Sequence, residues 1–281
     1  MQISNVENTK NQSNYSIRVG DKLIDLSTPI AMGIVNVTPD SFFAGSRKES
    51  ISSVIEVVKR MKMEGATIVD IGGYSSRPGA KDISVDEEIA RILPVIKAVK
   101  ENFPELLISL DTFRSEVAEV GINNGVDIIN DISGFEIDPK IVDIVVKYKV
   151  PYILMHMKGT PQTMQNHTVY DSIFSEMIAY FSKKIAFLQS KGVVDIIIDP
   201  GFGFSKTMGQ NYFILEHLEH LQLLKKPILI GLSRKSMIYK KLGITPEESL
   251  PETVRLNKIA LDKGGNILRV HDVKEAVELV D

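Results

Sequence analysis

Thr67–Gly73 reads TIVDIGG, a short apolar run rich in β-branched residues that ends in two glycines; helical spacing begins again at Val85. β-Branched residues favour a pleated strand, and a run this short is the length of one strand. The same unit recurs outward in both directions. Apolar runs stand at Ile30–Val35, Leu107–Leu110, Asp127–Ile129, Tyr152–Met155, Val194–Ile198, Ile228–Ile230 and Ile267–Val270. Between and after them lie stretches with helical periodicity: Ile51–Met63, Val85–Val99, Ser115–Gly121, Pro139–Tyr148, Tyr170–Gln189, Tyr212–Leu224, Glu252–Asp262 and Val273–Val280. In Ile51–Met63 the apolar positions 51, 54, 55, 58 and 61 follow a period near 3.6. Gly65, Gly125, Gly192 and Gly264 stand shortly before the next apolar run, where a helix can end in a left-handed residue.

Strands alternating with helices predict an α/β fold with a parallel sheet. Eight such units fit a closed TIM (β/α)8 barrel, which needs about 250 residues; the chain has 281. A doubly wound open sheet is the alternative, but it would leave two of the runs without a place. Residues 1–28 form an extension before the barrel, in which Ile17–Val19 and Leu23–Leu26 flank Gly20-Asp21 as a small β-hairpin. Residues 29–281 then make one barrel domain, since no linker or low-complexity tract interrupts them.

The polar residues that follow each run carry the chemistry. They are Asn36 to Ser41 after the first, Gly72 to Gly79 after the second, Asp111, Thr112 and Arg114 after the third, and Asn130, Asp131 and Ser133 after the fourth. His156 follows the fifth, Asp199-Pro200-Gly201 the sixth, and Ser233-Arg234-Lys235 the seventh; Arg269, His271 and Asp272 stand at the eighth. In a barrel these C-terminal strand ends share one face, which holds the active site. Any single Asp or Ser there can be only a helix cap, but eight strands behaving alike point to a ligand. Carboxylates with an asparagine and a lysine suit a flat heterocycle with guanidine-like edges. Arg77, Arg269 and His271 suit a phosphate or pyrophosphate. Thr38–Lys48 and Gly72–Lys81 read as loops over the mouth.

Other classes find little support. With 33 Lys and Arg against 36 Asp and Glu, the net charge of −3 calls for no nucleic-acid surface. No cysteine is present, so disulfides and thiolate chemistry are excluded and a reducing compartment, the cytoplasm, is expected. The first residues do not read as a secretory signal, and no apolar run is long enough to span a bilayer. Gly201-Phe202-Gly203-Phe204 lacks the GxGxxG spacing, and neither a P-loop nor HExxH occurs. His217 and His220 lie on an outer helix, and His167 in a loop; none reads as a metal ligand.

Eight segments together resemble the dihydropteroate synthases: Met32–Phe42 (MGIVNVTPDSF), Asp70–Ala80 (DIGGYSSRPGA), Ser109–Thr112 (SLDT), Ile128–Gly134 (IINDISG), Leu154–Gln165 (LMHMKGTPQTMQ), Asp199–Lys206 (DPGFGFSK), Gly231–Ser236 (GLSRKS) and Leu268–Val273 (LRVHDV). The resemblance implies condensation of 6-hydroxymethyl-7,8-dihydropterin pyrophosphate with p-aminobenzoate, giving 7,8-dihydropteroate and pyrophosphate, with Mg2+ beside the pyrophosphate and a homodimeric assembly. It places Asp111, Asn130, Met155, Asp199 and Lys235 on the pterin. Asn36 falls on the pyrophosphate or its metal, and Ser76, Arg77, Arg269 and His271 on the pyrophosphate. Phe42, Ser76, Pro78, Lys235 and Ser236 fall around p-aminobenzoate. Asp111, Arg77, Lys235, Arg269 and His271 are the residues expected to drive the reaction. This chain departs from the family pattern at three places: Ala44 where SFSDGG has an acid, and Tyr74 and Ser76 where GGESTRPG has Glu and Thr.

Three alternatives are weaker. A corrinoid-type pterin methyltransfer domain would not need the Arg77, Arg234-Lys235 and Arg269 anion set. A silent homologue would not need Asn36, Arg77, Asp111, Lys235 and His271 together. A sugar-phosphate barrel would leave Asp111, Asn130 and Asp199 unexplained.

Overall fold

The computed structural model describes residues 15–37, 47–77 and 81–280, with only the backbone of 47–50. Strands β1 (Ser16–Val19) and β2 (Lys22–Asp25) form the expected antiparallel hairpin, paired Ser16 to Asp25 and Val19 to Lys22. Eight parallel strands follow: β3 (Ile30–Asn36), β4 (Ile68–Gly72), β5 (Leu107–Asp111), β6 (Ile128–Asp131), β7 (Tyr152–Met155), β8 (Ile196–Asp199), β9 (Leu229–Ile230) and β10 (Ile267–Val270). Their order is β8-β7-β6-β5-β4-β3-β10-β9. A parallel bridge between Ile198 and Ile228, with the Ile198 N–H on the Pro227 carbonyl at 2.9 Å, joins the two ends into a ring. The TIM barrel read from the sequence is the fold.

Strand periodicity sorts the core into two shells, because neighbouring residues point to opposite faces. Val69, Ile71, Ile108, Leu110, Leu154, Ile198, Ile230 and Val270 face outward and pack under the helices. Met32, Ile68, Leu107, Ile128, Ile153, Ile197, Leu229 and Ile267, one from each strand, fill the bottom of the barrel. Ile17, Val19 and Leu26 of the hairpin region pack into that layer and close it from below. The Asn266 side chain fastens this end: its amide donates to the Leu26 carbonyl at 3.3 Å and its oxygen accepts from the Ile228 N–H at 2.9 Å. Ile17 is buried, so Ile17→Val is expected to cost about 0.5–1.5 kcal/mol, read as a lower urea midpoint at unchanged slope.

The helices are α1 (Arg47–Met63), α2 (Val85–Asn102), α3 (Ser115–Ile122), α4 (Ile141–Tyr148), α5 (Ile173–Ser190), α6 (Met208–Glu216), α7 (Ser236–Leu242), α8 (Leu250–Asp262) and α9 (Val273–Val277). Two differ in kind from expectation. The single helix expected over 212–224 starts four residues earlier and breaks at His217. Its start is set by a capping box: the Thr207 hydroxyl accepts from the Gln210 N–H at 3.2 Å, and the Gln210 side chain accepts from the Thr207 N–H at 2.8 Å. Leu218–Leu224 continues as a 3-10 turn. Helix α7 was not anticipated, because two turns are too short to display a period; Gly243, at φ 68°, ends it.

Candidate active site

Above the aliphatic layer the inward positions turn polar. On β4, β5, β6 and β10 the next inward residues are Asp70, Ser109, Asn130 and Arg269, with Asp111 one pleat above Ser109. Arg269 organises them. Its Nε donates to Asp70 Oδ2 at 2.6 Å, its Nη2 donates to Asp111 Oδ2 at 2.9 Å, and Asn130 Nδ2 donates to the same Asp70 oxygen at 3.1 Å. Asp70 is fully buried, an expensive place for a charge unless it is paired. Burial works against the Arg269 charge, but Asp70 and Asp111 outweigh it and raise its pKa. Asp70 Oδ1 and Ser109 Oγ, both buried, find no hydrogen-bond partner among the described residues.

Asp111 is pushed up to about 7, first by burial and then by Asp70, Glu88 and Asp131, with Arg269 opposing. Arg269 pairs with one of its oxygens, while burial still disfavours its charge, an environment found at sites that meet positive charge or N–H donors on a ligand. Asp199 closes the other side. It lies beside Met155 in the β7–β8 pairing, and its Oδ1 accepts from the Gly201 N–H at 2.7 Å. Burial raises its pKa, while the Gly201 N–H, Lys235, Arg269 and Lys206 pull it back.

Lys235 reaches into the same space from the loop after β9. Burial and Arg269 lower its pKa to about 8, against Asp199 and Asp111. Its Nζ lies 4.3 Å from the centre of the Phe204 ring. The preceding residue, Arg234, takes a left-handed turn at φ 54°, and its guanidinium is clamped by Asp272 at 2.7 and 3.2 Å. Ser233, on the other side of that turn, shares a 2.9 Å hydrogen bond with His271 Nδ1. Burial, then Arg234 and Arg269, hold His271 down at about 4, so its ring is neutral at pH 7.

The wall beside Lys235 is the segment Gly201–Ser205. A Cβ at Gly201 would stand 2.2 Å from the His156 carbonyl oxygen, and φ there is 69°; Gly203, at φ 82°, lies against the Lys235 stem. Only glycine lets the backbone come this close. Buried Lys206 holds the segment, donating to the carbonyls of His156, Gly201 and Phe204 at 3.2, 3.0 and 3.0 Å; burial lowers its pKa to about 7. Phe204 joins Phe113, Ile132, Met155, Met157 and Met164 in an apolar cluster at the mouth, with Tyr74 packed against it.

The structure therefore brings Asp111, Asn130, Met155, Asp199, Lys235 and Arg269 to one end of the barrel, with His271 beside Ser233. Asn36 ends β3 opposite Gly72, half-buried. Ser76 is half-buried and Arg77 exposed on the segment after β4, and half-buried Ser236 opens α7. Phe42 and Pro78 lie outside the described residues. Sequence reading missed Asp70, Phe204 and Lys206. Asp70 had a visible signal, a charge inside the apolar run of 67–71 at the same parity as Ile68.

The chain as a whole is similar to known proteins. The model of the pterin binding enzyme family matches residues 32–271. The dihydropteroate synthase of Escherichia coli K12 is 42% identical over 257 residues, covering 91% of this chain and 90% of the relative. That of Synechocystis is 42% identical over 265 residues, covering 93% and 91%. Among solved structures, a Yersinia pestis dihydropteroate synthase in a sulfonamide drug complex superposes with a TM-score of 0.88 at 37% identity, covering 95% of this chain and 97% of that one. A Xanthomonas albilineans dihydropteroate synthase with 4-aminobenzoic acid gives a TM-score of 0.88 at 35% identity, covering 95% and 96%. The chain belongs to the pterin-binding enzyme family and, within it, to the dihydropteroate synthases.

Proposed function

We propose that the barrel mouth carries out the family's transfer, from 6-hydroxymethyl-7,8-dihydropterin pyrophosphate to p-aminobenzoate, with the pterin ring held deep and the pyrophosphate near the rim. The supporting observation is the convergence of Asp111, Asn130, Asp199 and Lys235 around Arg269 above a closed apolar floor. Asp111 and Asp199 accept the ring's N–H groups, Asn130 offers a donor and an acceptor, and Lys235 donates to a ring oxygen or nitrogen. Met155 packs near the ring.

The C–O bond to pyrophosphate breaks first, and its electron pair leaves with the oxygen. The positive charge left on the methylene spreads into the pterin, next to Asp111. The amine nitrogen of p-aminobenzoate then bonds to the methylene and gives up a proton, which the released pyrophosphate can accept. No covalent enzyme intermediate is needed, so the residues act by position and charge. Arg269, His271, Ser76 and Arg77 receive the leaving anion. Phe42, Ser76, Pro78, Lys235 and Ser236 surround the amine. The segments Thr38–Lys48 and Gly72–Lys81, read from the sequence as loops over the mouth, lie partly outside the described residues.

Magnesium fits this scheme as a companion of the substrate. Among the described residues no group of three or more His, Asp or Glu is placed to hold a metal by itself. Asn36, through its amide oxygen, is the residue that would hold Mg2+ beside the pyrophosphate. When bound, it would neutralise part of the leaving group's charge. A homodimer in the cytoplasm completes the proposal. Among the described residues no helix is long and apolar enough to cross a membrane.

The test is an anaerobic assay with the pterin pyrophosphate, p-aminobenzoate and Mg2+, following pyrophosphate release; no release above the enzyme-free rate would refute the proposal. Two groups that face the proposed ring site are expected to shape its pH dependence. The Asp111 carboxylate is present above about 7 and lost as pH falls. The Lys235 ammonium is present below about 8 and lost as pH rises. The kcat/KM for the pterin ester is expected to peak between these values and to fall on both sides. An alkaline limb that persists unchanged in Lys235→Gln would assign that limb elsewhere, Lys206 being the next group to examine.

A further inference from the structure

The segment that leaves β4 is tied across the mouth by Tyr74, one of the three departures from the family pattern. The Tyr74 hydroxyl accepts a 2.5 Å hydrogen bond from Gln162 Nε2, in the loop after β7. Its ring meets Phe113, from the loop after β5, edge to face with centroids 5.0 Å apart. The Arg114 guanidinium lies 5.3 Å from both ring centres. Arg114 is itself fixed, donating to Glu88 Oε2 at 2.9 Å, to Asp82 Oδ1 at 3.1 Å and to the Ile83 carbonyl at 2.6 Å. Glu88, buried in α2, also accepts from the Thr112 hydroxyl at 2.8 Å. One phenol ring thus joins three strand-end loops, and the fixed guanidinium beneath it belongs to the residue that caps α3. Ser76 and Arg77 follow two and three residues later. A Glu here, as in the family pattern, would set a third carboxylate against a guanidinium already paired with Glu88 and Asp82. The aromatic ring instead takes up its face and gains the Gln162 bond.

We propose that Tyr74 is a positioning residue for the pyrophosphate end of the substrate, acting through the Gln162 hydrogen bond and the Phe113–Arg114 stack to fix where Ser76 and Arg77 stand. This rests on the reading that Ser76 and Arg77 meet the pyrophosphate. Tyr74 has no need to touch substrate. A chain held at position 74 loses less freedom when the anion binds, and preorganisation of this kind appears in affinity for that end of the substrate.

The experiment compares wild type, Tyr74→Phe, Gln162→Ala, the double variant and Arg77→Ala. It measures steady-state constants for both substrates and, by calorimetry, affinity for inorganic pyrophosphate with Mg2+. Tyr74→Phe keeps the ring and removes only the hydroxyl, so folding is spared. The loss of the hydroxyl, with its bond to Gln162 and its interaction with Asp82, is expected to raise KM for the pterin ester and Kd for pyrophosphate about 3- to 10-fold. kcat should stay within about twofold of wild type, since the bond is proposed to act on binding of the anion and not on the bond-breaking step. Gln162→Ala should do the same, and the double variant should be no worse than either alone. Tyr74→Glu should weaken pyrophosphate at least as much. If Arg77→Ala leaves pyrophosphate affinity unchanged, the reading of the anion site fails. If Arg77→Ala weakens it while Tyr74→Phe and Gln162→Ala do not, or if their effects simply add, the positioning role fails and the anion site stands. A lower melting temperature without any change in KM or Kd also overturns the proposal, because it marks the bond as purely structural.

Discussion

Arg269→Ala is expected to cost about 3–5 kcal/mol of stability, because it strips the counter-ion from a buried carboxylate. Arg269 is the only cation bonded to Asp70 and Asp111 among the described residues, and Asp70 is fully buried. The loss should appear as a lower urea midpoint. A second signature separates this from a simple packing defect. Arg269 holds the Asp111 pKa down against burial, so removing it lets that pKa rise. The acidic limb of kcat/KM should therefore move to higher pH, with activity recovering only under more alkaline conditions. Arg269→Lys restores a charge without the two-armed fork and should recover part of the shift. A stable Arg269→Ala variant with an unmoved acidic limb would mean that the guanidinium bridges nothing of consequence.

Asp111→Asn is expected to do the opposite to stability and far more harm to turnover. The carboxylate sits where burial disfavours its charge, so the amide should leave the fold as stable as before or slightly more so. Removing a preorganised charge from the place where positive charge develops should lower kcat by about 10²–10³-fold. The combination of retained or improved stability with lost turnover marks a group kept for chemistry at the expense of the fold. Full activity in this variant would remove Asp111 from the proposed reaction.

Much of this was legible in the residues. Asp111, Asn130, Asp199 and Lys235 stand where apolar runs give way to polar ones, and a parallel barrel gathers such ends by its topology. The mid-strand position of Asp70 hid its role, which depends on Arg269 reaching across from a strand distant in sequence. Phe204 and Lys206 lay in a glycine-rich stretch whose spacing matched no phosphate loop. Their meaning comes from backbone carbonyls brought together only by the fold. The two-turn helix α7 was invisible to periodicity, yet it begins at Ser236, immediately after Lys235.

The hairpin beneath the barrel has a consequence for traffic. With Ile17, Val19 and Leu26 stoppering the lower end against eight aliphatic side chains, the described residues leave the vessel shut below, and traffic runs through the opposite doorway. Under the proposed arrangement the heterocycle lodges at the far end of that corridor and must arrive before the amine. The finished adduct cannot slip out of the base; it retreats past the residues that admitted its parts, so the threshold governs entry and exit alike.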